Sequence, residues 1–218
     1  MSLENLRTGS KILSVINGKG GSGKTTSALA LAACFGERLG KVLLVDADPQ
    51  GSASWVTRGM GETNLFDLAQ ETNPQVLAKL REVANYGVII VDTPPALDDA
   101  TVSLVASLSD YLVLPASPSP LDLRELTRTI QAVIAPTQVP YRVLLCRVDT
   151  RRRIEALQIQ NQLRSSGVRI FDTVIRSRVA LERFIVEGVP LTQYPGARPS
   201  AEEYRKVLSQ IQADLAPG

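Results

Sequence analysis

Residues 17–26 read NGKGGSGKTT, directly after the apolar run KILSVI (11–16) and ahead of a helical pattern over 24–39. Gly18, Gly23, Lys24 and Thr25 satisfy G-x-x-x-x-G-K-[ST], and strand–loop–helix is the context that a phosphate-cradling loop requires. Glycines permit left-handed torsions and close backbone approach, so successive N–H groups can aim at phosphate oxygens. The helix N-terminus adds partial positive charge. Lys24 is expected to reach the β- and γ-phosphates and the Thr25 hydroxyl to ligate Mg²⁺. The candidate nucleotide-binding set is therefore Gly18, Lys19, Gly20, Gly21, Ser22, Gly23, Lys24, Thr25 and Thr26. Lys19 is surplus to that chemistry. At the second loop position its side chain starts on the outer rim, facing either solvent or the phosphates of a second subunit.

Outward from the loop, apolar runs alternate with helical patterns to the end of the chain. KILSVI (11–16), KVLLVD (41–46), YGVIIVD (86–92), YLVLPA (111–116), YRVLLC (141–146) and RIFDTVI (169–175) read as strands. They lack clean alternation, as expected when both sheet faces are covered. Helices are predicted over 24–39, 74–84, 97–108, 120–134, 153–166, 179–187 and 200–215. This order implies an α/β fold, a mostly parallel, doubly wound sheet with helices on both faces. Residues 1–10 read as a polar lead-in and 11–218 as one domain.

Composition excludes several classes. No apolar run approaches a membrane span, and residues 1–10 contain no secretory h-region. Histidine is absent, which removes histidine general-base chemistry and most transition-metal sites. Cys34 and Cys146 form no CxxC pair, so the expectation is a cytoplasmic protein without zinc or disulfides. Net charge is only +2, yet residues 141–183 hold 10 arginines against 4 acids. Such a stretch is either a solvated face or a nucleic-acid contact. Arg151, Arg152 and Arg153 would open a helix against its dipole, which favours an anion partner. Arg176 and Arg178 cluster at the end of the last predicted strand.

Two stretches place carboxylates at the carboxyl edge of the sheet, where ligands bind in open α/β folds. LLVDADPQG (43–51) supplies Asp46 and Asp48; VIIVDTPP (88–95) ends an apolar strand in Asp92, which would hold Mg²⁺ through water. A single Asp at a strand end is more often a turn former or helix cap, but three of them in a chain with this phosphate loop favour the functional reading. Arg147 to Asp149 follow the fifth predicted strand, at a common base-contacting location or in an ordinary turn.

KGGSGKTT resembles the deviant Walker A signature, KGG-x-GKTT, of the ParA/MinD family of ATPases. DADPQ after the second strand, ASPSPLDL (116–123) and EGVPLTQYP (187–195) resemble its small plasmid-partition (ParF-like) members; Ser22 stands where valine is common. The resemblance implies that Lys19 crosses an ATP-sandwich dimer to the partner's nucleotide. It implies that Asp48 positions the attacking water and that Asp46 supports the Mg²⁺ shell. Catalytic roles thus fall to Lys19, Lys24 and Asp48; metal roles to Thr25, Asp46 and Asp92; nucleotide contact extends to Arg147. With no histidine or glutamate evident near the water, ATP hydrolysis is expected to be slow and partner-stimulated. The further implications are a nucleoid-associated homodimer on non-specific DNA, contacted through Arg151, Arg152, Arg153, Arg176 and Arg178. A ParB-like centromere-binding or cargo-adaptor protein would be its partner. Promoter binding is not expected, since no helix-turn-helix extension precedes the loop.

Two rivals share the motifs. A MinD-like membrane-surface switch would need a cationic, Phe-bearing tail, whereas Tyr204, Val207, Leu208, Ile211 and Leu215 read as a face packed on the domain. A ligase of the dethiobiotin-synthetase type would not need Lys19.

Overall fold

A computed structural model describes residues 10–60, 65–95 and 100–216. The lead-in over 1–9 and the predicted helix start at 97–99 lie outside the described residues. Six strands form one parallel sheet: β1 (Lys11–Val15), β2 (Val42–Asp46), β3 (Asp67–Gln70), β4 (Val88–Asp92), β5 (Tyr111–Ala116) and β6 (Tyr141–Leu145), in the order β3-β2-β4-β1-β5-β6. The register sets Asp46 opposite Asp92 and Val15 opposite Asp92. Both aspartates therefore end their strands at the edge where the glycine loop leaves β1.

The strands show no alternation because each residue meets a helix on one face or the other. Leu13, Val15, Val42, Leu44 and Ile90 pack with α1 (Lys24–Leu39), α2 (Ser52–Arg58), α7 (Ala180–Glu187) and α8 (Arg198–Asp214). Ile12, Leu43, Val45 and Ile89 turn the other way, toward α3 (Pro74–Leu77) and α4 (Ala100–Leu108). Leu112, Leu114 and Val143 join them there, under α4, α5 (Pro120–Thr129) and α6 (Arg153–Ser165). The doubly wound parallel fold expected from the alternating pattern is the fold observed.

α1 is the central helix of its face. Ala28 to Gly36 are all buried, because small residues let it lie flat on the sheet while α8 crosses behind it. Gly36 is required by that closeness, since a Cβ there would stand 1.9 Å from the Leu65 carbonyl oxygen. Gly36→Ala is expected to destabilise the protein by about 2 kcal/mol. In a domain of this size that lowers Tm by roughly 4–8 °C in a thermal melt. An unchanged Tm would mean that the 65 segment yields freely.

Five elements depart from expectation. The predicted strand 169–175 runs beside β6 without becoming one. Phe171 donates to the Val143 carbonyl and Ile175 to the Leu145 carbonyl, so four residues advance where β6 advances two. Residues 172–174 bulge outward, and Asp172 is held there by Arg164 and Gln210. β3 and α2 carry no strong pattern; β3 is a short, half-exposed edge strand. The helix predicted over 74–84 is instead α3 and a separate 3₁₀ turn at Leu80–Glu82. That over 120–134 is α5 continued by a π-helical turn, Ile130–Ile134, ahead of Pro136.

Candidate functional site

Hydrogen bonds to β5 and α5, and one within the loop, hold the glycine loop in place. The Asn17 amide donates to the Pro115 carbonyl at 2.6 Å, its oxygen accepts from the Lys19 N–H at 2.9 Å, and the Gly18 N–H reaches the Thr129 hydroxyl. Gly23 caps α1 at φ 99°, a left-handed torsion that places the helix N-terminus open to the loop. Lys24 is buried, its ammonium donating to the Lys19 carbonyl at 3.1 Å. Burial lowers its pKa, with Asp92 and Asp48 pulling the other way.

Lys19 points outward instead. Its ammonium pairs with Asp122 in the first turn of α5 and remains 40% exposed. Asp122 itself is buried; burial works to raise its pKa, but hydrogen bonds from Lys19 and Ser119 outweigh it and hold the carboxyl below its usual range. The two loop lysines thus occupy different sides of the loop.

Three aspartates converge on the loop with unlike surroundings. Asp46 accepts from the Ser54 N–H at 2.7 Å and the Asp48 N–H at 3.3 Å, bracing the turn into α2. Asp48 accepts from the Gln50 N–H at 2.9 Å. Asp92 is wholly buried, and neither carboxylate oxygen has a hydrogen-bond partner. Burial raises its pKa to about 7, and Asp46 adds to the rise. The Thr25 hydroxyl stands close enough to offset part of it without completing a hydrogen bond of normal geometry. A buried carboxyl with no hydrogen-bond partner is costly to ionise unless a cation faces it. Two orphaned oxygens beside a threonine hydroxyl and a second aspartate suit a hard, oxygen-loving ion such as Mg²⁺.

A cavity of about 710 Å³ opens against Gly21 and Gly23 to Thr26. Arg147, at φ 57°, donates to the Gly21 carbonyl at 3.0 Å and so stands at its rim. The opposite walls were not foreseen: Trp55 and Val56 from α2, Leu181 and Ile185 from α7, and Tyr204 from α8. Tyr204 also hydrogen-bonds Ser27 behind the loop at 3.1 Å. Nothing in the sequence ties these segments to the loop; only the sheet order brings them there.

The five arginines expected on DNA divide. Asp149 caps the 3₁₀ turn Thr150–Arg152, and Arg152 pairs with Glu155 at 2.7 Å. Those acids relieve the expected conflict with the helix dipole. Arg151 and Arg153 are exposed and carry no ion pair among the described residues. Arg176 and Arg178 both bind Glu203 of α8, and Arg178 lines the cavity. The rest of α8 packs inward through Tyr204, Val207, Leu208 and Ile211, as its pattern predicts. No helix among the described residues is long and apolar enough to cross a membrane.

The chain has close counterparts. It is 47% identical over 207 residues to "Maintenance of carboxysome distribution protein A" of Gloeobacter kilaueensis, covering 94% of this chain and 95% of that one. It is 30% identical to "Chromosome-partitioning ATPase Soj" of Thermus thermophilus, covering 95% and 98%. Among solved structures, a plasmid partition protein from Borrelia burgdorferi bound to AMPPNP shares the fold with a TM-score of 0.74 at 21% identity, over 94% and 99% of the two chains. The cell division ATPase MinD of Pyrococcus furiosus does so with a TM-score of 0.75 at 21% identity, over 95% and 100%. Residues 13–191 match the family described as the CobQ/CobB/MinD/ParA nucleotide binding domain. With its loop, its aspartates and this match in agreement, the chain belongs to the ParA/MinD family of nucleotide-binding proteins.

Proposed function

We propose that residues 11–218 form one ATPase domain that dimerises on binding ATP, associates with non-specific DNA in that state, and positions a large cargo over the nucleoid. The observation that carries this reading is the two-lysine loop, in which Lys24 is buried at the phosphate end while Lys19 faces outward. A rim cation whose ammonium pairs, among the described residues, with Asp122 is free to exchange that partner for the phosphates of a second subunit. Thr25 and Asp92 would hold Mg²⁺, with Asp46 bracing the neighbouring turn. Bound there, the ion would neutralise charge on the β- and γ-phosphates.

Asp48, on the turn that Asp46 braces, is assigned the attacking water. No histidine is available to strengthen it, which fits slow turnover raised by a partner protein. The likeness to a carboxysome distribution protein favours a protein organelle as the cargo, with an adaptor in the role that a ParB-like protein has for DNA cargo. A cytoplasmic, nucleoid-associated location follows from DNA binding.

The testing experiment measures binding to random duplex DNA with ATP, ADP or no nucleotide at two salt concentrations. ATP-dependent binding that weakens with salt is expected. Replacing Arg151, Arg152 and Arg153 together with alanine should weaken it and flatten its log–log salt slope by about 0.9 for each phosphate no longer neutralised. Absence of wild-type binding in every nucleotide state would refute the DNA reading.

A further inference from the structure

Among the described residues, Glu203 is the most heavily engaged carboxylate outside the phosphate loop. It sits on α8 with only 7% of its side chain exposed. Its Oε1 accepts from Arg176 Nε at 2.6 Å and Arg178 Nη2 at 2.7 Å; its Oε2 accepts from Arg178 Nη1 at 2.7 Å and the Arg176 backbone N–H at 3.2 Å. Arg178 Nη1 also donates to the Ser200 hydroxyl at 3.2 Å. Burial acts to raise the Glu203 pKa, but the two arginines outweigh it and keep the group ionised.

A lone surface arginine needs no such scaffold. A buried charge network is expensive, and it is intelligible where a guanidinium must be held in one place. Arg178 is that guanidinium: it lines the cavity together with Ser177, Ile175 and Leu181, while Gly21 and Gly23 to Thr26 line the end that the phosphate loop forms. Of its five N–H donors, three are committed to Glu203 and Ser200. Nε–H, one Nη2–H and the flat cationic face remain. A purine base supplies ring nitrogens that accept and a face that stacks on a guanidinium.

We infer that Glu203 is a positioning residue for base recognition, holding Arg178 against the base of the bound nucleotide. This rests on the reading of the cavity as a nucleoside triphosphate site, and it draws Arg178 away from DNA. Arg176, fixed by the same carboxylate, braces the segment that presents Arg178.

The test compares a fluorescent ATP analogue, displaced by ATP or by inorganic tripolyphosphate, in wild type, Glu203→Gln, Arg178→Ala and the double variant. Glu203→Gln should weaken ATP about tenfold and leave tripolyphosphate within about twofold, because residues 21–26 are untouched. In the Arg178→Ala background the second substitution should add nothing, the sign of a coupled pair. Equal losses for ATP and tripolyphosphate, or additive losses in the double variant, would overturn the assignment. A wild type that binds neither probe would instead remove the nucleotide reading beneath it. If Glu203→Gln does not fold, Arg178→Lys carries the same comparison, since it keeps the charge opposite Glu203 and loses the planar fork.

Discussion

Lys24→Ala is expected to lower ATP affinity by about 100-fold or more, the scale for removing one partner from a buried charge-assisted contact. Lys24 is the buried cation at the phosphate end, and Asp92 and Asp48 stand close enough to act on it. Without it, a triphosphate would enter a site whose nearest fixed charges are aspartates. The loss therefore combines a missing attraction with an exposed repulsion. Equilibrium binding of ATP and ADP checks this, alongside a thermal melt to establish that the variant folds. Affinity within threefold of wild type in a folded variant would mean that the loop does not hold the phosphates.

Lys19→Ala should separate binding from turnover. Its side chain leaves the loop on the outer side and meets Asp122, so ATP affinity of the single subunit is expected to stay within about threefold of wild type. ATP-dependent dimerisation should be lost. The hydrolysis rate should fall by about 100-fold or more, the usual effect of deleting one group that stabilises transition-state charge. Sedimentation with ATP and phosphate release measure the two effects. A variant that still dimerises and hydrolyses normally would leave Lys19 as a surface cation paired with Asp122. If dimerisation and ATP affinity fell together, Lys19 would serve its own nucleotide and have no trans role.

The parts of this architecture that were legible in the sequence are those with local chemistry. The glycine loop, the two apolar strands ending in Asp46 and Asp92, and the buried stripe of α8 each announce themselves within about ten residues. The register opposing Asp46 to Asp92 follows once β2 and β4 are neighbours. β3 stayed hidden because Asp67–Gln70 pairs on one side only and needs no apolar run. Residues 169–175 misled in the opposite sense, since their apolar residues pack against β6 through a bulge rather than a ladder. Arg176 and Arg178 read as free basic residues because the carboxylate that binds both lies 25 positions or more along the chain. The far walls of the cavity failed for the same reason, being assembled from three helices that only the folded sheet brings together.

α8 also fixes when the site becomes complete. Every loop lysine and motif aspartate has been translated by residue 92, and the strands by residue 145. Yet Tyr204 and Glu203, with the Asp214 carboxylate locked onto Tyr111 and Arg142 at the helix's far end, follow about a hundred residues or more after Asp92. Synthesis runs from the N-terminus at about 5–20 residues per second. The nascent chain therefore carries the full nucleotide signature for several seconds before it possesses the wall that closes the pocket. Until α8 is made, the cavity lacks the wall that Tyr204 supplies and the carboxylate that holds Arg178.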